Sequence, residues 1–84
     1  MLPGWSEDAL CRELRSVIAE KFGQDVANKT ILYYRKGWYY YNLASRFQDG
    51  SVGVVGVSKG MRAWQIKREI EYWRNRMDEQ ERNK

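Results

Sequence analysis

The twelve residues ILYYRKGWYYYN, Ile31 to Asn42, constrain the fold more than any other stretch of the chain. Six of them are aromatic, and Arg35 and Lys36 stand in the middle beside Gly37. Aromatic residues favour a pleated, half-buried surface, and a glycine after a polar residue permits a tight reversal. The stretch therefore reads as two strands closed on themselves. A turn at Lys36-Gly37 would pair Arg35 with Trp38, Tyr34 with Tyr39 and Leu32 with Tyr41.

A hairpin alone is not stable in water, so the flanking sequence must cover one of its faces. On the N-terminal side, Ser6 is a predicted N-cap, followed by Glu7 and Asp8 where the helix dipole favours negative charge. Trp5 and Leu10 would form a hydrophobic staple. Leu10, Leu14, Val17, Ile18 and Phe22 recur at helical spacing, and Gly23 is the expected stop. QDVANK is a polar connector with room for one helical turn.

On the C-terminal side, Asp49-Gly50 is a strong turn signal that would pair Phe47 with Val52 and Ser45 with Val54. The second strand would then run long, from Trp38 to about Gln48. Gly53 and Gly56 mark a bulge or a close approach in the third strand. A second helix is expected after Ser58, from Gly60 or Met61. Its apolar seam is Ala63, Ile66, Ile70, Trp73 and Met77. The predicted fold class is α+β in the order α-β-β-β-α: a three-stranded antiparallel meander with two helices packed on one face. One domain is expected over 1–84, with an ordered core of about 5–77 and a solvated tail at 78–84.

Side chains alternate across a strand, and this sorts the rings. Leu32, Tyr34, Tyr39, Tyr41, Leu43, Phe47, Val52 and Val54 would face the helices. Ile31, Tyr33, Arg35, Trp38, Tyr40, Asn42, Arg46 and Val55 would lie on the open face. Cross-strand aromatic pairs stabilise a hairpin by about 0.2–1 kcal/mol each, which accounts for some of the rings. The remainder, set among cations, have the chemistry of a stacking surface. On the second helix, Trp64, Arg68, Tyr72 and Arg76 follow one another at i+4, off the seam. Lys59 and Arg62 would sit at its start, where basic residues and backbone N–H groups can hold phosphate.

Composition removes most other functions. The chain has no histidine and one cysteine. Metal sites of the Cys/His kind, Ser-His-Asp catalysis and Cys-His catalysis are therefore not available to a single chain. GSVGVVG lacks the Lys-Ser/Thr ending of a phosphate loop. Neither an enzyme nor a cofactor is expected. Cys11 has no partner for an internal disulfide, no apolar run approaches the roughly 18 residues of a membrane span, and MLPGWSEDAL lacks the pattern of a secretory signal. A soluble, cytoplasmic protein is expected, with no membrane partner. The net charge of +4, from 15 basic and 11 acidic residues, leans toward an anionic partner.

The α-β-β-β-α order resembles the double-stranded-RNA-binding-domain fold. GVSKGMRAWQIKREI is similar in placement to that family's Gly-x-Ser-Lys-Lys element at the start of its second helix. Ser58 and Lys59 match, and Gly60 stands at the second lysine. YYRKGWYYYNLASRFQDGSVGVVGV resembles the HicA-type toxin family, a reduced version of the same fold, in its glycine turn, aromatic strand and Asp-Gly turn into a valine strand. That resemblance implies an mRNA-directed protein with a catalytic His just after the glycine turn. Trp38 and Tyr39 occupy that place here.

Two functional expectations follow. The first is a small non-enzymatic module that binds RNA or DNA, with Arg35, Lys36, Arg46, Lys59, Arg62 and Arg68 as phosphate contacts and Tyr33, Trp38, Tyr40 and Trp64 as stacking groups. The second is a protein-interaction module that uses the open aromatic face or the edge of the third strand, in a hetero-complex or a homodimer.

Overall fold

The computed structural model describes residues 5–82, with side chains as far as Arg76. The elements are α1 (Ala9–Phe22), α2 (Gln24–Lys29), β1 (Ile31–Arg35), β2 (Trp38–Asn42), β3 (Ser45–Arg46), β4 (Val52–Gly53), β5 (Lys59–Met61) and α3 (Ala63–Arg82). The chain is a small α+β fold: an antiparallel three-stranded sheet of order β1-β2-β5, with α1 and α3 packed on one face of it.

The β1–β2 register is the expected one, with Arg35 opposite Trp38, Tyr34 opposite Tyr39 and Leu32 opposite Tyr41. Lys36 and Gly37 both take positive φ, 51° and 86°. Such a turn matches the right-handed twist of the strands it joins. Leu32 and Tyr39 are buried with Leu14, Val17, Ile18, Ile66 and Ile70, and Tyr34, Tyr41, Met61 and Trp73 pack around them.

Several boundaries differ from the sequence reading. The first helix starts at Ala9, and its N-cap is Asp8, whose carboxylate accepts from the Cys11 N–H at 3.0 Å. Ser6 cannot cap it, because its backbone is already extended: its N–H donates to Tyr34 O at 3.1 Å, and Tyr34 N–H donates back at 2.7 Å. Trp5 accordingly stacks on Tyr33. QDVANK, expected as a connector with room for one helical turn, forms the six-residue helix α2.

The long second strand breaks at Leu43 and Ala44. The Ala44 N–H donates to the Thr30 hydroxyl at 3.1 Å, and that hydroxyl donates to Val26 O at 2.9 Å. A side chain thus takes the hydrogen bond a neighbouring strand would need. Beyond the break, β3 and β4 form a separate two-stranded sheet in which Ser45 faces Gly53 and Arg46 faces Val52. The expected register is off by one, because Asp49-Gly50 belongs to a three-residue loop. Gly50 N–H donates to Phe47 O, Phe47 N–H donates to Ser51 O, and Gly50 has φ 89°. The shift also turns Phe47 out of the core, where it is 40% exposed.

The third strand of the main sheet is β5, where the start of the second helix was expected. Tyr39, Tyr40 and Tyr41 pair with Met61, Gly60 and Lys59. The helix begins at Ala63 because Gln65 caps it, its Oε1 accepting the Arg62 N–H at 2.8 Å. The expected fraying after Met77 is not seen, since α3 continues to Arg82. The Met77 side chain, and 83–84 of the proposed tail, lie outside the described residues. Among the described residues, no helix is long and apolar enough to cross a membrane.

Candidate nucleic-acid interface

The face of the sheet away from the helices carries the rings that alternation assigned to it. Tyr33 and Tyr40 face each other across β1 and β2, with centroids 5.0 Å apart and planes 21° from parallel. Trp5 lies on the other side of Tyr33 at 3.9 Å and 2°. The result is a ladder of rings standing face to face. Tyr33 therefore has a neighbour on both faces and cannot stack on anything else, contrary to the expectation for it. Trp5, expected as a staple, is a rung of this ladder. The long-range Ser6–Tyr34 bridge brings it there.

Trp38 stands at the hairpin end of the same face, 39% exposed. The Arg62 guanidinium sits 3.7 Å from its ring centroid and donates to Gly37 O at 3.2 Å. Such a cation–π contact contributes about 0.5–2 kcal/mol. It ties the start of α3 to the hairpin turn. Arg35 pairs with Trp38 in the register, and Lys36 projects from the turn, both exposed. Arg35, Lys36, Trp38, Tyr40 and Arg62 thus share one end of the sheet.

The other expected contacts lie elsewhere. Lys59 is on the edge strand, opposite Tyr41, so its side chain leaves the sheet on the helix side. It does not stand at a helix N-terminus. An inward-directed charge on an edge strand discourages unwanted pairing. Arg46, on the small β3–β4 sheet, forms an ion pair with Asp25 at 2.6 Å and holds that carboxyl below its usual range. Trp64 and Arg68 are on the outer stripe of α3, where Arg68 lies 5.8 Å over Trp64 and Arg76 lies 5.2 Å over Tyr72. That stripe is separate from the sheet face.

Beneath the rings, two polar contacts hold the sheet to the helix side, and a third within α3 shares one of their carboxylates. The Tyr39 hydroxyl donates to Asp8. Burial alone would raise the Asp8 carboxyl, but the Tyr39 hydroxyl and the Cys11 N–H outweigh it and leave the group below its ordinary value. The Tyr41 hydroxyl and the Trp73 indole N–H both donate to Glu69 Oε1, at 3.0 and 3.1 Å. Burial pushes both tyrosines up, and the carboxylates Asp8 and Glu69 add to the effect. These hydroxyls serve the packing and are not exposed acids or bases.

Gly60 is a further residue of this surface that the sequence did not mark out, because Ser58 competed as a helix cap and drew β5 into the helix. The signal available was Gln65, three residues after Arg62. The chain matches no family model, no curated protein and no solved structure.

Proposed function

We propose that this protein is a small non-enzymatic module that binds nucleic acid through the hairpin end of its open sheet face. One observation carries the reading. Arg35, Lys36 and Arg62 gather around Trp38 at that end. Among the described residues none of the three is in an ion pair, whereas Arg15, Arg46 and Arg74 each have a carboxylate within 2.6–2.8 Å. Cations left without carboxylates beside an exposed indole are suited to phosphates flanking a base. Arg46 and Lys59 are outside this surface, and so are Trp64 and Arg68.

The test is a fluorescence-anisotropy titration with labelled single-stranded RNA and DNA over a range of salt. Three phosphate contacts on a single strand give an expected slope of log K against log salt of about −2. Replacing Arg35 and Lys36 together by Ala should flatten that slope by about 1.4 units. No binding of any strand at low salt would remove the proposal.

A second reading, a protein partner, is favoured by the segment before β5. Val55 is 75% and Val57 88% exposed, next to the open edge of the sheet. A partner strand added to that edge would cover them. Val57→Lys should abolish such a complex and leave nucleic-acid binding intact.

A further inference from the structure

The ring ladder stops one rung short of the sheet's width. Register places Tyr33, Tyr40 and Gly60 in one row across β1, β2 and β5. Trp5 and Tyr33 are stacked, then Tyr33 and Tyr40, and the next position has no side chain. A Cβ added at Gly60 would lie 3.8 Å from Tyr40 Cε1 and 3.5 Å from Trp38 Cε3, which are ordinary contact distances. Gly60 is also absent from the glycines with positive φ, which are Gly23, Gly37, Gly50 and Gly56. Neither the backbone conformation nor a clash at Cβ requires glycine here, and glycine weakens a strand.

We propose that Gly60 floors a slot for one unpaired base of a single-stranded nucleic acid, seated on the open side of Tyr40 and against Trp38. The inference rests on the nucleic-acid reading above and names its ligand class. The occupant continues a stack of aromatic planes, so it is itself planar. It also carries negative charge, because Arg35, Lys36 and Arg62 are the groups at that end. A base within a duplex has both faces covered by its neighbours and offers only an edge, so it cannot enter. A base in a single strand can.

The experiment uses the full chain and three probes at one salt concentration: a single-stranded oligothymidylate of about ten nucleotides, an abasic strand of the same length, and a pre-formed duplex. The wild type should bind the base-bearing strand at least about five-fold more tightly than the abasic strand, the least that stacking of one base supplies. Gly60→Val fills the slot. It should erase that ratio and leave the salt-dependent binding of the abasic strand and of the duplex unchanged. Thermal melting checks that the variant is folded, and the wild-type comparison of the two strands needs no variant at all. Equal binding of the two strands by the wild type would overturn the slot and leave the electrostatic reading standing. So would a ratio that survives Gly60→Val; the rings of Trp38 and Tyr40 would then merely cover the glycine. Failure to bind any probe would overturn both proposals.

Discussion

At the scale of single residues, Arg15 organises more of the molecule than any ring does. It sits on α1, and its guanidinium donates to the carbonyls of Ala27, Thr30 and Leu32, the last two at 3.1 and 3.2 Å. It also pairs with Glu7 at 2.6 Å. One side chain thus satisfies the carbonyls where α2 ends and β1 begins. Truncating it leaves several partly buried acceptors without a donor. Arg15→Ala should therefore lower stability by about 2–3 kcal/mol, read from urea-unfolding midpoints. Arg15→Lys should recover only part of the loss, because an ammonium lacks the planar fork that reaches separate carbonyls. Arg12→Ala, at an exposed position one turn earlier, is the control and should stay within about 0.5 kcal/mol. Equal midpoints for Arg15→Ala and Arg12→Ala would refute this role. In the sequence the two arginines look alike. Periodicity alone does not say which polar residue on a helix meets a chain end folded back from 12 to 17 positions away.

At the scale of elements, the hairpin was legible because its information is local. Lys36 and Gly37 are adjacent, their φ values are both positive, and the strands on either side alternate. Lysine is a poor residue for a left-handed position, while asparagine is suited to it. Lys36→Asn should raise stability by about 0.5–1 kcal/mol and at the same time weaken the proposed nucleic-acid binding by removing a cation. A melt and a titration on the same sample test both, and a lower melting temperature would contradict the turn geometry. The strand that follows was not legible in the same way. Its break depends on the Thr30 hydroxyl reaching Ala44, fourteen positions on, and nothing in LASRF itself marks the spot. At Asp49-Gly50 the turn residues were evident but the loop length was not. A two-residue loop and a three-residue loop ending in a left-handed glycine share the same dipeptide, and the choice flips Phe47 from core to surface.

At the scale of the whole molecule, the titrating groups set where the fold is stable. The Asp8 carboxyl lies below its ordinary 3.8 when folded. It contributes stability above that value and loses it as pH falls through the folded one. Burial pushes the Cys11 thiol from 9.0 up to about 11, and Tyr39 and Tyr41 are raised from 10.0. For these groups the unfolded chain gives up its proton first, so their contribution is full below 9.0 to 10.0 and is lost as pH rises. Stability should be level from about pH 5 to 8 and fall on both sides. Cys11→Ala should delay the start of the alkaline fall from near 9 to near 10, measured as urea midpoints against pH. An unchanged alkaline limb would show that the thiol is not held neutral by the fold.

Sequence alone determined the elements whose signal lies within a few residues: the Lys36-Gly37 reversal, the pairing of Tyr34 with Tyr39, and the apolar seams of α1 and α3. It also assigned Leu32 and Tyr39 to the core, and Tyr33 and Tyr40 to the opposite face. The physical reason is that backbone sterics and side-chain alternation act at short range. Tertiary structure decided which of those rings are already occupied. Ser6 meets Tyr34 across 28 positions and brings Trp5 onto Tyr33, while Arg62 meets Gly37 across 25 and lies over one face of Trp38. Pairing of β5 with β2 then sets Gly60 beside Tyr40. A vacant rung exists only where three strands meet, and each strand by itself records only its own share of the row.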